Sequence, residues 1–341
     1  MDKKILLWGL VAIIIILAIA YYSGENLPSQ KSETSDVSAV NGITDTTATD
    51  VIKAPKTSTI KKSATPTAIT PSMNSGRVVF AIKDKAENIN DIRSIFITIA
   101  SVKINHPTKG WITIPNSAKE FDLLEIKKSG LLGLLSDTYL EADSYNQLWL
   151  TITKVNILKL DGSAVTAKLP SQNIRFNAFS KIVKGETAAI TFDFDVEKSL
   201  HITTDNKEYL FLPVVETSIQ NTVYINMLSN GKFTFSSGTT GSSIKVGMNE
   251  NGDIIGNYSL NPLTEIEFIG NIIKLRPYYL SEEKLTASAA QAIEIATNGK
   301  YLDSVISIKL LEDEIWQIYG KKNSSNITIQ LEAKTGKIIG Q

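Results

Sequence analysis

Apolar positions along this chain follow four successive patterns, and each predicts a different kind of element. Residues 5–22 (ILLWGLVAIIIILAIAYY) are apolar without a charge or a proline. Wound at 1.5 Å per residue they give a helix of roughly 27 Å, the thickness of a bilayer's hydrocarbon layer. Residues 23–75 then turn to Ser, Thr, Asp, Lys and Pro, with scattered Val and Ile and no aromatic ring. Too little apolar surface is available there to offset the entropy of ordering, so a disordered linker is expected. As a flexible coil of roughly 50 residues it would span about 40 Å.

From residue 76 the period becomes two. Residues 77–82 (RVVFAI), 92–104 (IRSIFITIASVKI), 110–114 (GWITI), 147–155 (QLWLTITKV), 156–160, 188–196 (AAITFDFDV) and 209–215 (YLFLPVV) read as strands, with Ile95, Ile97 and Ile99 on one face and Leu148, Leu150 and Ile152 on another. Asp161-Gly162 is a favoured hairpin turn. Only residues 120–136 lack this period and read as a strand end followed by a short helical or looped crossover. Many short strands separated by turns predict an antiparallel β-sandwich over 76–220. Residues 221–280 are more polar but still strand-like and form a β-rich connecting region. The final pattern, 281–341, begins at Ser281-Glu282-Glu283 with Leu285, Ala289, Ala292, Ile293 and Ala296 at helical spacing up to Asn298-Gly299. Strands at 304–311, 314–319, 326–332 and 337–339 follow. The class is therefore mainly β with an α+β C-terminal module, behind one N-terminal transmembrane helix.

Charge sets the topology. Lys3 and Lys4 precede the apolar run and no base follows it until Lys31, so residues 1–4 are expected in the cytoplasm and the bulk outside. Trp8, Tyr21 and Tyr22 suit interfacial anchors of a retained, single-pass segment, 5–22; Ala18-Ile19-Ala20 resembles a cleavage site, and a cut after Ala20 would release a secreted protein. The chain has no cysteine, which excludes disulfides and thiolate metal sites, and its 35 bases balance 35 acids, which gives no general electrostatic case for nucleic acid. The linker's acidic first half and basic second half read as solvated charge runs, with contact between the basic half and a wall polyanion as the functional alternative.

Candidate chemistry is sparse. Asp193, Asp195 and Glu197 recur at spacing two on a predicted strand and could contribute oxygens to Ca²⁺; the plainer reading is the polar face of a strand whose inward residues are Ile190, Phe192, Phe194 and Val196. Residues 238–243 (GTTGSS) lack the Gly-Lys-Ser/Thr ending of a phosphate loop and read as a flexible turn. Residues 249–253 (NENGD) have their glycine one place too early for a calcium loop, with no closing glutamate. His106 and His201 are the only histidines and are expected on the surface or in structural roles, since no cysteine and no Gly-x-Ser-x-Gly elbow accompanies them. Asn257, Asn323 and Asn326 head N-x-S/T triplets, acceptors for N-glycans if the host has that machinery.

The ordered anchors Gly76 to Asp84, Gly110-Trp111, Phe121-Asp122-Leu123-Leu124, Tyr145-Asn146-Gln147-Leu148, Asp161-Gly162, Leu169-Pro170-Ser171 and Phe192-Asp193-Phe194-Asp195 make residues 76 to about 220 resemble the domain of unknown function 4382 family. That resemblance implies an exported sandwich of immunoglobulin/prealbumin-like type with no established reaction. Where the family has Gly before the tyrosine of its fourth anchor, this chain has Asp143-Ser144. Residues 289–296 (AAQAIEIA), Trp316 and residues 332–339 (EAKTGKII) resemble the PepSY module, with Glu332 where that family has Asp. This second resemblance implies regulation of extracytoplasmic peptidases or binding near the cell surface. The expected function is a membrane-anchored, non-enzymatic surface protein that binds an envelope protein or polysaccharide. The alternatives are a peptidase regulator acting through 281–341 and, third, a hydrolase built on Asp193 and Asp195.

Overall fold

The computed structural model describes residues 73–341, apart from 86–88, 90, 116, 229–230 and 237. All of these fall in one compact unit, Thr65–Gln341. The apolar run 5–22 and the linker residues 23–72 lie outside the described residues. Among those described, no helix is long and apolar enough to cross a membrane. They are mostly β, with three α-helices.

The strand Ser75–Asp84 is central to the larger sheet, whose order is Tyr224–Met227, Lys232–Ser236, Leu132–Glu141, Ser75–Asp84, Thr187–Phe194, Val214–Asn221, Thr239–Met248 and Ile254–Gly256. Its apolar residues are nearly continuous rather than alternating because both of its faces are covered. Val78, Phe80 and Ile82 enter the main core, while Val79 and Ala81 pack with Phe233, Leu132, Leu134, Ile225 and Phe235 on the other side. A second sheet runs Gly110–Thr113, Ile92–His106, Gln147–Lys159 and Ala164–Thr166, with Lys119–Asp122 also on Ile92–His106 and Asn173–Phe176 also on Gln147–Lys159. Its Ile95, Ile97, Ile99, Leu148, Leu150 and Ile152 share one core with Phe80, Ile190, Phe192 and Phe194 of the larger sheet. The aperiodic stretch holds the short helix Leu123–Ser129. Asp122 caps it by accepting from the amides of Leu124 and Glu125, and Gly130 ends it at φ 65°.

The all-antiparallel expectation is corrected at the centre. Ser75–Asp84 pairs in parallel with Thr187–Phe194, Val78 lying opposite Ala188 and Phe80 opposite Ile190. A parallel partner needs a long return path. Here the second sheet supplies it, since all of its strands lie in sequence between these two.

Residues 221–280 divide between two sheets. Those up to Gly256 complete the larger sheet, whereas Thr264–Ile269 and Ile272–Pro277 begin a third, followed in order by Ser304–Leu310, Ile315–Lys322, Ser325–Glu332 and Ile338–Gly340. Ile272–Pro277 is parallel to Ser304–Leu310, and the crossover between them carries the helix Ala289–Asn298. That helix starts later than Ser281 suggests. Glu282–Lys284 is a separate 3₁₀ turn, and the true N-cap is Ser288, which forms a capping box with Gln291. The core beneath the helix contains Ala292, Ala296, Ile308, Ile318, Ile329 and Trp316, whose Nε1 donates to the Ala287 carbonyl at 2.8 Å.

The third sheet is fastened to the rest by a small core of Leu210, Leu212, Leu260, Ile266, Ile273 and Leu275. Beside it the Thr204 amide donates to the Ile266 carbonyl at 2.9 Å, and Lys168 sits 3.5 Å above the Phe268 ring. Phe192 tests the main core, because it is fully buried and packs 5.6 Å from Phe176 between ring centroids. Phe192→Ala is expected to lower unfolding free energy by about 3–5 kcal/mol, read from the urea midpoint at unchanged slope.

Candidate ligand-binding face

Alternation on three neighbouring strands sends Val102, Ile104, Leu148, Leu150, Ile174 and Phe176 into the core. It sends the intervening residues outward: Ser101, Lys103 and Asn105; Gln147, Trp149 and Thr151; Asn173 and Arg175. The edge strand adds Trp111 and Thr113. Register aligns them across the sheet, with Lys103 and Arg175 on either side of Trp149, and Trp111 and Gln147 on either side of Asn105. None of these ten residues is acidic.

The aromatic centre is held in place. Trp111 and Trp149 meet edge to face at 5.5 Å and 89°. The Arg175 guanidinium lies 4.8 Å from the Trp149 ring centroid and 5.7 Å from that of Trp111, and Lys103 Nζ lies 5.8 Å from Trp149. Asn173 Oδ1 accepts from Trp149 Nε1 at 2.9 Å and from Thr151 Oγ1 at 3.1 Å, which fixes the indole's tilt. Gln147 Nε2 donates to Asn177 Oδ1 at 2.9 Å, continuing the amide row. Trp111 remains 36% exposed and Trp149 is partly buried, so ring surface still reaches solvent at the pair.

The turn that delivers Trp111 is built on His106. This ring is buried, and its Nδ1 accepts from the amides of Thr108 and Lys109, both at 3.2 Å. Its Nε2 therefore carries the proton and faces Asp143 Oδ2 at 3.0 Å, while the ring meets Tyr145 edge to face at 5.4 Å. Gly110 closes the turn at φ 75°, where a side chain would be strained. Asp143 thus supplies the carboxylate that anchors His106. Asp143 is held below the usual carboxylate range by the Ser144 amide first and by His106 second.

The acidic row does not form. The strand ends at Phe194, and residues Val196–Ser199 turn helical, which breaks the period that would have aligned Asp195 and Glu197 with Asp193. Asp195 caps that turn and lies 3.1 Å from Lys198 and 3.6 Å from Lys245. Asp193 faces Lys83 across the parallel pair at 3.4 Å; burial pushes its carboxyl up and Lys83 opposes that. Among the described residues no three His, Asp or Glu side chains gather where they could hold a metal ion. Residues 239–243 are strand rather than flexible turn, pairing with Val214–Asn221. In the 249–253 loop the two asparagine side-chain oxygens are already used: Asn249 Oδ1 accepts from the amides of Asn251 and Asp253, and Asn251 Oδ1 accepts from Ser307. Asn257, Asn323 and Asn326 are all exposed, Asn323 in the two-residue turn between Ile315–Lys322 and Ser325–Glu332.

Of the face, the sequence singles out Trp111 and Gln147, as parts of the Gly110-Trp111 and Tyr145-Asn146-Gln147-Leu148 anchors. The missed signal is phase: Trp149 stands among Leu148, Leu150 and Ile152 at an outward position, where the core does not call for a large apolar ring.

His201 is partly buried, and its Nε2 has neither solvent nor a partner among the described residues. Burial lowers its pKa from 6.5 to about 4, against a weaker opposing hydrogen bond with the Lys198 backbone. The unfolded chain therefore binds this proton more readily than the folded one. Stability from His201 is complete above about pH 6.5 and lost as pH falls towards 4, in total about 2–3 kcal/mol. Urea midpoints of the parent and His201→Gln chains compared across pH 7 to 4 should show a smaller decline in the variant; equal declines would refute this.

No curated protein and no solved structure matches the chain. Residues 75–213, which include the whole Trp111–Trp149–Arg175 face, match the family described as Domain of unknown function (DUF4382).

Proposed function

We propose that this chain is a membrane-anchored, extracytoplasmic and non-enzymatic protein that binds an envelope polysaccharide through the Trp111–Trp149 face. In this reading residues 5–22 hold it in the membrane and residues 23–75 act as the spacer. The two sheets that share a core form an immunoglobulin/prealbumin-like sandwich, which carries the face. The observation that bears the reading is a pair of solvent-facing indoles set among amides and hydroxyls, at positions that do nothing for the core. A sugar ring has an apolar C–H face and a rim of hydroxyls. Flat aromatic surface matches the first, and Asn105, Gln147, Thr151 and Asn173 offer donors and acceptors to the second.

A second reading gives 281–341, as a PepSY-like module, a role in regulating an extracytoplasmic peptidase. It is favoured by a cavity of about 340 Å³ that Lys309, Leu310, Leu311 and Glu312 of that module line together with Leu263, Tyr278 and Tyr279 of the preceding hairpin, which are 58%, 57% and 56% exposed. Tyr278→Ser with Tyr279→Ser would abolish peptidase inhibition in that case, without the damage of deleting 281–341, which would strip Thr264–Pro277 of its sheet neighbours.

In affinity electrophoresis through gels containing wall polysaccharide of the producing cell, the parent chain should be retarded. Trp149→Ala should weaken binding roughly thirtyfold, about 2 kcal/mol, with an unchanged melting profile. Retardation that Trp149→Ala leaves intact would refute the face. The mass of the mature amino terminus tests the anchor: a chain beginning before residue 5 is expected, and one beginning at Tyr21 would make the protein secreted.

A further inference from the structure

We infer that the polymer taken by this face is acidic, with Lys103 and Arg175 reading its charge on either side of Trp149; this rests on the reading of the face as a polysaccharide site. The chain as a whole is neutral, with 35 bases and 35 acids, so an acid-free basic face is a local arrangement and not a consequence of composition. Several cations elsewhere are taken up by carboxylates. Arg77 pairs with Asp137, Lys168 with Glu208, Lys232 with Glu125, and Lys274 with Glu267. Lys103 and Arg175 have no carboxylate within 4.0 Å among the described residues, and their contacts are with the indole rings.

Those contacts suit recognition of an anion. Arg175 lies over the Trp149 ring and not in an ion pair, so its guanidinium is held in place with N–H groups available for a two-pronged hydrogen bond to a carboxylate or sulfate. Lys103 stands on the strand at the other side of Trp149. Two strand spacings separate the cations' backbones, about 10 Å. Their charged heads converge on the same ring, at 5.8 and 4.8 Å from its centroid. A polymer with repeated charges can meet both heads while one of its rings covers the indole between them.

The test uses the detergent-solubilised full chain and four probes: polygalacturonate, dextran sulfate, neutral dextran and single-stranded DNA. Polygalacturonate or dextran sulfate should bind, and which is tighter distinguishes carboxylate from sulfate as the recognised group. Affinity should fall about tenfold between 50 and 500 mM NaCl and about fivefold in Arg175→Gln, with partial recovery in Arg175→Lys and no change in melting temperature. Neutral dextran should not bind. If it binds as tightly, independently of salt and yet sensitively to Trp149→Ala, the acidic ligand is overturned while the polysaccharide site stands. If no polysaccharide responds to Trp149→Ala, both fall. Tighter binding of single-stranded DNA than of either acidic polysaccharide would overturn the choice of polymer.

Discussion

The parallel pairing of Ser75–Asp84 with Thr187–Phe194 is the constraint on which the rest depends. A central strand covered on both faces must be apolar throughout, and this one is, apart from its ends. Parallel pairing forbids a tight turn, so the intervening chain has to leave the sheet and return. Apart from Leu132–Glu141, which rejoins the larger sheet beside Ser75–Asp84, what it builds on the way is chiefly the second sheet, and the outward side of that sheet is the candidate face. The site therefore exists because the centre of the fold is parallel.

The same excursion explains how the face stays ordered while open to solvent. Its inward side chains contribute to the core shared with the larger sheet, so each strand is fixed from beneath. Its outward side chains are fixed laterally by Asn173 and Arg175 and, at the hairpin end, by His106 and Asp143. An indole oriented in advance loses little freedom when a ligand covers it, which favours binding over a surface of mobile rings. Histidine and carboxylate here hold a turn.

The third sheet is joined to the first two through apolar contact and not through a linker. Leu210 and Leu212, two residues apart near the end of the family-matched region, pack on Ile266, Ile273 and Leu275. Lys274, buried nearby, would be lowered by its burial, but hydrogen bonds to Glu267 and Glu282 outweigh that and raise it, so it remains charged and paired. Such a pair breaks at high cost if one partner is removed, which ties the 3₁₀ turn Glu282–Lys284 to the hairpin beneath it.

What the sequence determined by itself is what acts over a few residues. Period two in 92–104 and 147–155, the Asp161-Gly162 turn, the helix stop at Asn298-Gly299 and the final meander were all legible, because turn chemistry and the burial of one face are local. Tertiary structure decided the parallel partner of Ser75–Asp84, the division of residues 221–280 between two sheets, and the conversion of the Asp193, Asp195, Glu197 row into a strand end and a capped turn. It also decided that Trp111, Trp149 and Arg175 meet. Each strand's pattern says which residues face out, but not which strands become neighbours. That choice depends on closing long loops against the burial of distant apolar faces, and no window of the sequence contains both sides of it.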